Sequence, residues 1–187
     1  MLTKAEFDAA RQRMFMAWGQ GDLADAQAAM DIVLGKGTAA MKAECLFYQG
    51  MIAEERSDLA EARESWSNGL QYAREGSFLR FQLETSLGGA AERQAQPAEA
   101  LQWFRNALAT CCQGDEFSGS KALSGYLRLS GGKVEPADER VVECVAEKSW
   151  RVAVLPGAPD PNDWTATAAR LDEELANRAS EIRDSQE

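Results

Sequence analysis

Alanines recur at a near-constant interval along this chain, and that spacing restricts its fold more than any other feature. Three segments carry a polar turn followed by two alanines one residue apart. They are Gly21-Asp22-Leu23-Ala24-Asp25-Ala26, Ser57-Asp58-Leu59-Ala60-Glu61-Ala62 and Gln96-Pro97-Ala98-Glu99-Ala100. The final alanines lie 36 and 38 residues apart, and Pro136-Ala137 follows 37 residues later. Self-similarity at a period of roughly 20–50 residues marks stacked supersecondary units, each too small to bury its apolar face alone.

Other positions keep the same register. Gly50, Gly88 and Gly125 precede the last three rungs by 12 residues, and Met30, Trp66, Phe104 and Val141 follow the four rungs by 4. Small residues at fixed places let two helix backbones approach, and a bulky residue one turn beyond the alanine fills the gap beside it. Helical periodicity supports this independently over Ala39–Glu55, Leu59–Ala73, Leu79–Ala91 and Ala98–Cys111. Asp58 and Gln96-Pro97 suit helix starts, with Pro97 at the first helical position. Gly35, Gly37, Gly76 and Gly114 suit helix ends. Beyond residue 145 the register stops. Glu143–Val154 is expected as a helix with Val145, Trp150 and Val154 inward, followed by a proline-rich connector. Asp163 then caps a last helix, Trp164–Ile182, with Leu171 and Leu175 on one face.

In these residues the chain resembles the tetratricopeptide repeat (TPR) family. The third repeat matches best, through Leu87-Gly88, Ala91, Ala100, Phe104 and Ala107. The second matches through Gly50, Ala53, Ala62, Trp66 and Gly69, and the first mainly through residues 21–26 and Met30. The period exceeds the family's typical ~34 residues. No proline closes each repeat, and Leu46 and Glu84 stand where the family places an aromatic residue. The resemblance implies an all-α, right-handed array of antiparallel helix pairs over residues 1–155. Residues 156–187 are then the connector and an acidic capping helix, because a solenoid needs a polar terminal element.

Composition narrows the function. The chain has no histidine, which removes the commonest general base, the Ser–His and Cys–His nucleophile pairs and imidazole metal sites. No glycine-rich cofactor loop is present, since Gly131-Gly132-Lys133 lacks a phosphate loop's glycine spacing and preceding strand. The expectation is a non-enzyme without cofactor, metal or catalytic residue. A net charge of −10 disfavours nucleic-acid backbones as partners. Apolar runs are too short for a membrane span, and the first residues do not resemble a secretory signal. Cys45, Cys111, Cys112 and Cys144 lack zinc-site spacing, and a reducing, cytoplasmic setting is their simplest reading. Adjacent Cys111 and Cys112 point in different directions on a helix, and inert burial is the expectation for them.

By family geometry the first helix of each pair lines an inner, partner-binding face. Carried over by register, that face draws on Arg11, Phe15, Trp18, Phe47, Met51, Glu54, Glu55, Glu92, Arg93 and Tyr126, with Asp8, Glu44, Gln82, Thr85, Ala122 and Leu129 beside them. Aromatic residues and Met are interface anchors, and the glutamates would surround them with negative charge. The competing reading is that Phe15, Phe47 and Met51 pack inside the helix pairs. The function implied is an adaptor or chaperone-type module holding a protein segment with a basic or mixed apolar and basic surface. The alternative is a bacterial immunity or antitoxin-type inhibitor occluding the active site of a basic toxin. Oligomeric state stays open, as does whether the partner uses the inner face or the acidic helix around Asp172, Glu173 and Glu174.

Overall fold

A computed structural model describes residues 1–114, 119–153 and 163–184. Among the described residues there are nine α-helices and no strand: α1 (Lys4–Gly19), α2 (Leu23–Lys36), α3 (Ala39–Glu55), α4 (Leu59–Leu70), α5 (Phe78–Arg93), α6 (Pro97–Gln113), α7 (Ser120–Leu129), α8 (Glu139–Ala153) and α9 (Trp164–Asp184). Residues 155–162 of the expected connector lie outside the described residues, as does the inward position of Val154. No helix among those described is long and apolar enough to cross a membrane.

The polar segments of the repeat are one turn built several times. Gly21, Ser57, Ala95 and Gly131 all adopt left-handed backbone, with φ of 75°, 63°, 55° and 63°. The amide that follows each reaches back five residues: Asp22 N to Ala17 O (2.8 Å), Asp58 N to Ala53 O (2.9 Å), Gln96 N to Ala91 O (2.9 Å) and Gly132 N to Leu127 O (2.8 Å). This bond satisfies a terminal helix carbonyl that would otherwise be orphaned. Asp22 and Asp58 then cap the next helix by accepting from Asp25 N and Glu61 N, both at 3.0 Å. Gln96 makes no such bond, and Pro97 starts α6 instead. Turns this short force α1–α2, α3–α4 and α5–α6 to fold back as antiparallel pairs.

The alanine and glycine ladder explains how closely the paired helices pack. Ala26, Ala62 and Ala100 are buried, and Trp66 is fully buried. A Cβ at Gly50 would overlap the Trp66 indole, whose Nε1 donates to Phe47 O at 3.1 Å. In the same way a Cβ at Gly88 or Gly125 would lie 2.7 or 2.6 Å from the Phe104 ring. Phe104 of α6 therefore sits against both α5 and α7.

The fourth rung departs from the ladder. Ala137 is exposed and precedes α8, and the buried stripe of α8 is Val142, Val145 and Ala146. It is not centred on Val141, which is half-buried. The segment between α7 and α8 is longer than the tight turns upstream, so the second helix restarts in a new register. The last helix follows expectation: Ala166 N donates to Asp163 Oδ1 at 2.9 Å, and Leu171 is buried.

The chain forms two compact units, Met1–Arg74 and Glu75–Glu187. The division falls after α4, whereas the sequence suggested a boundary at 155/156. Within the first unit, Phe7, Met14, Met30, Val33 and Ile52 anchor a core shared by α1, α2 and α3. Within the second, Phe104, Leu108, Leu123, Tyr126, Val145 and Leu171 anchor a core that includes α9. Hence α9 is an integral helix of the second unit, packed on α7.

Candidate partner-binding face

In the first unit α1 and α3 lie side by side, and three contacts fix their direction. Arg11 Nη1 donates to Glu44 Oε1 at 2.9 Å. Phe15 meets Tyr48 edge-on, with ring centroids 4.7 Å apart. Trp18 Nε1 donates to Glu55. Contacts that ascend together along both helices mean that α1 and α3 run parallel. On each helix these residues recur at helical spacing and so share one stripe.

The stripe is aromatic at its centre and acidic at its margins. Phe15 is 38% exposed, and Trp18, Tyr48 and Met51 are half-buried. Phe15 also stacks on Trp18 at 6.2 Å, and Tyr48 touches Phe47 at 5.5 Å. Arg11 is held by two carboxylates, Glu44 and Asp8 (3.1 Å), and the Glu44 hydrogen bond raises its pKa. Burial, with Glu44 adding to it, raises the pKa of the Tyr48 phenol, so this hydroxyl stays neutral at physiological pH. Beneath the stripe, a cavity of about 10 Å³ is lined by Phe7, Ala10, Met14, Met30, Cys45 and Tyr48. That volume has room for roughly one water, so the feature is a face and not a small-molecule pocket.

The structure sorts the ten expected face residues. Arg11, Phe15, Trp18, Met51, Glu54 and Glu55 lie on α1 and α3 of the first unit, partly or well exposed. Phe47 lies there too but is 8% exposed, with its carbonyl taken by Trp66. Its expected role as an anchor is corrected to a core one, and neighbouring Tyr48 presents its ring in its place. Sequence reasoning missed Tyr48. Successive helix residues point about 100° apart, so the two neighbouring rings meet different surroundings, one in the core and one at the face.

Glu92, Arg93 and Tyr126 belong to the second unit. Tyr126 is fully buried, donates its hydroxyl to Asp138 Oδ2 at 2.8 Å, and is therefore also corrected from face to core. Asp138 in turn accepts from Arg105 Nε at 2.7 Å. Glu92 receives both Nη2 and Nε of Arg128, at 2.8–3.0 Å. Arg128 also lies 3.6 Å from Asp172 of α9, and Ser124 donates to the same carboxylate. Thr85 and Ala122, expected near the face, are buried.

No protein-family model matches the sequence, and no curated protein matches it. The reading of function therefore rests on geometry alone.

The cysteines divide as well. Cys112 and Cys144 are joined across α6 and α8 with Cα atoms 5.9 Å apart, which corrects the expectation of inert burial for Cys112. Cys45 and Cys111 are buried thiols, and burial pushes their pKa values up to about 12 and about 11. Among the described residues, no cluster of three or more His, Cys, Asp or Glu is arranged to hold a metal ion.

Proposed function

We propose that this protein is a TPR-like, non-catalytic binding module that holds a segment of another protein on the α1/α3 face. The observation that carries this reading is the partly exposed Phe15, Trp18 and Tyr48 cluster set between Glu44 and Glu55 on two parallel helices. Large aromatic surfaces left at solvent are the residue types that anchor interfaces. Carboxylates at the margins favour a partner whose apolar anchor is accompanied by Lys or Arg. Such charges mainly accelerate encounter, and the rings supply most of the affinity. The repeated left-handed turns and the glycine–aromatic contacts support the family resemblance. Glu84 departs from it, placing a buried carboxyl where the family has an aromatic residue.

The test begins with peptides selected against the intact protein from a random display library. They should be enriched in an aromatic or aliphatic anchor flanked by basic residues. The double variant Phe15→Ala/Trp18→Ala should bind them at least about tenfold more weakly, with an unchanged far-ultraviolet circular dichroism spectrum. Added salt should slow association with the wild type. Glu92→Ala, in the second unit, should bind normally. Full affinity in the folded double variant would remove the α1/α3 face from consideration.

A further inference from the structure

The Cys112–Cys144 pair lies outside the proposed binding face, and its surroundings show what it can do. Cys112 is the penultimate residue of α6, and Cys144 lies in the first half of α8. Both are half-buried, so neither residue is sealed in the core as Cys111 is. The adjacent Cys111 is fully buried. A Cβ at Gly119 would lie 2.9 Å from its Sγ and would also overlap Val145. Facing the core with a pKa near 11, Cys111 carries almost no thiolate at neutral pH, and the thiolate is the form that attacks a disulfide. The roughly 100° turn between successive residues thus assigns one cysteine to the core and the other to α8.

A second device holds the same junction without redox chemistry. Lys148, one turn beyond Cys144, donates from Nζ to Cys111 O (2.8 Å), Cys112 O (3.1 Å) and Gly114 O (3.0 Å). An ammonium at these carbonyls near the end of α6 complements the negative end of the helix and ties α8 to it. The buried Val142, Val145 and Ala146 hold α8 from its apolar side. These contacts across the α6–α8 junction do not involve the sulfurs and so are available to hold it when the sulfurs are apart.

We infer that Cys112 and Cys144 form a reversible thiol–disulfide exchange site, whose partners are dithiol reductants and low-molecular-weight disulfides. In reduction, a reductant thiolate attacks one sulfur. The Cys112–Cys144 bond breaks, a mixed disulfide forms, and the other cysteine leaves as a thiolate that takes up a proton. The reductant's second thiol then displaces the first cysteine and closes the reductant's own disulfide. Two electrons pass to the protein, and both cysteines end as thiols. Oxidation by glutathione disulfide reverses the balance and yields two glutathione thiols.

The experiment uses the full chain equilibrated in glutathione buffers of graded ratio, quenched by alkylation and mapped by peptide mass spectrometry. A single 112–144 cross-link should appear and disappear reversibly, with Cys45 and Cys111 unmodified in the folded protein. Hydrogen exchange should show α8 and the end of α6 opening at least about tenfold more often in the reduced form. Reduction should also lower the melting temperature by about 10 °C, since the bond closes a long loop. Cys112→Ser/Cys144→Ser should match the reduced wild type in every buffer, and Cys111→Ser should titrate like the wild type. A cross-link through Cys111, a bond that thiols reduce only after unfolding, or identical exchange in the two redox states would each overturn the inference.

Discussion

On the α1/α3 face, rings reach solvent and carboxylates stand at the margins. On α5 and α7, assembled with the same turn, charges are spent on the protein's own contacts: Glu92 holds Arg128, and Asp172 of α9 closes on Arg128 and Ser124. The left-handed turn residues allow position-by-position comparison. Six residues before the turn, α1 has Phe15, α3 has Met51 and α5 has Gly89; nine before it, α3 has Tyr48 and α5 has Ser86. The backbones are equivalent and the side chains are not. Large apolar groups at two positions of one stripe make a surface that a partner can cover. Small ones at the same positions make a surface with nothing to grip. A repeat thus fixes where a face lies, and a few side chains on it decide whether it is sticky.

The largest expected effect tests whether the shared scaffold is held as described. Trp66 is fully buried, fills the space that Gly50 leaves, and donates to Phe47 O. Trp66→Ala should cost about 3–5 kcal/mol in denaturant unfolding. Phe104, wedged against Gly88 and Gly125 in the second unit, should show a loss of the same size on truncation. A much smaller loss at either site would mean that the two units do not share a packing rule.

The helices were legible because their signals are local. The bounds of α3 are those expected from periodicity, and Asp58 and Asp163 cap the helices they were expected to cap. Where a signal depends on distant geometry, the sequence said less. The slip in α8 follows from the length of the segment after α7, which no spacing rule constrains. Phe47 was expected on the face because it stands ten residues before Ser57, as Arg11 stands ten before Gly21, and the alanines give the same register; which of Phe47 and Tyr48 reaches solvent depended on how α1 and α3 pack. Cysteines 32 residues apart give no local sign of pairing. The cap and the inward Leu171 of α9 were legible, but its polar contacts were not, because they need Asp172 to meet Arg128 and Ser124 from a remote helix.

A smaller effect sharpens the electrostatic side of the comparison. Glu84 is 3% exposed, accepts from Thr110 Oγ1 at 2.7 Å and from Arg80 Nε at 3.0 Å, and has its pKa raised above the ordinary glutamate value of 4.5 by burial. A raised carboxyl means that the folded state binds the proton more tightly than the unfolded chain does. Stability from this group is then fully present below the unfolded pKa and is lost as pH rises from about 4.5 through the higher folded value. Glu84→Gln should remove that decline, seen as the wild-type minus variant difference in unfolding free energy across pH. Glu84→Ala should cost about 1–3 kcal/mol by leaving the buried Thr110 hydroxyl without its acceptor. A difference curve that rises with pH would mean that Arg80 and Thr110 outweigh burial.

The smallest effect asks whether the turns of the two units are energetically equivalent. Ser57 and Ala95 occupy left-handed backbone at φ 63° and 55°, a conformation that Gly21 adopts at 75° without a side chain. A non-glycine residue there carries a steric cost of roughly 1–2 kcal/mol, and glycine carries an opposing cost of roughly 0.5–1 kcal/mol from the freedom it loses on folding. Ser57→Gly and Ala95→Gly should therefore each stabilise by about 0.5–1 kcal/mol, and Gly21→Ala should destabilise by a similar amount. Neither glycine substitution touches the hydrogen bonds of the turn, because Ser57 N to Glu54 O (2.8 Å) and Ala95 N to Glu92 O (2.9 Å) are backbone contacts. Thermal melts of the three variants measure the effect directly. Matching gains at Ser57 and Ala95 would show that one turn serves both units, and that the faces differ only in the side chains it presents. Opposite signs would place part of the difference between the faces in the backbone itself.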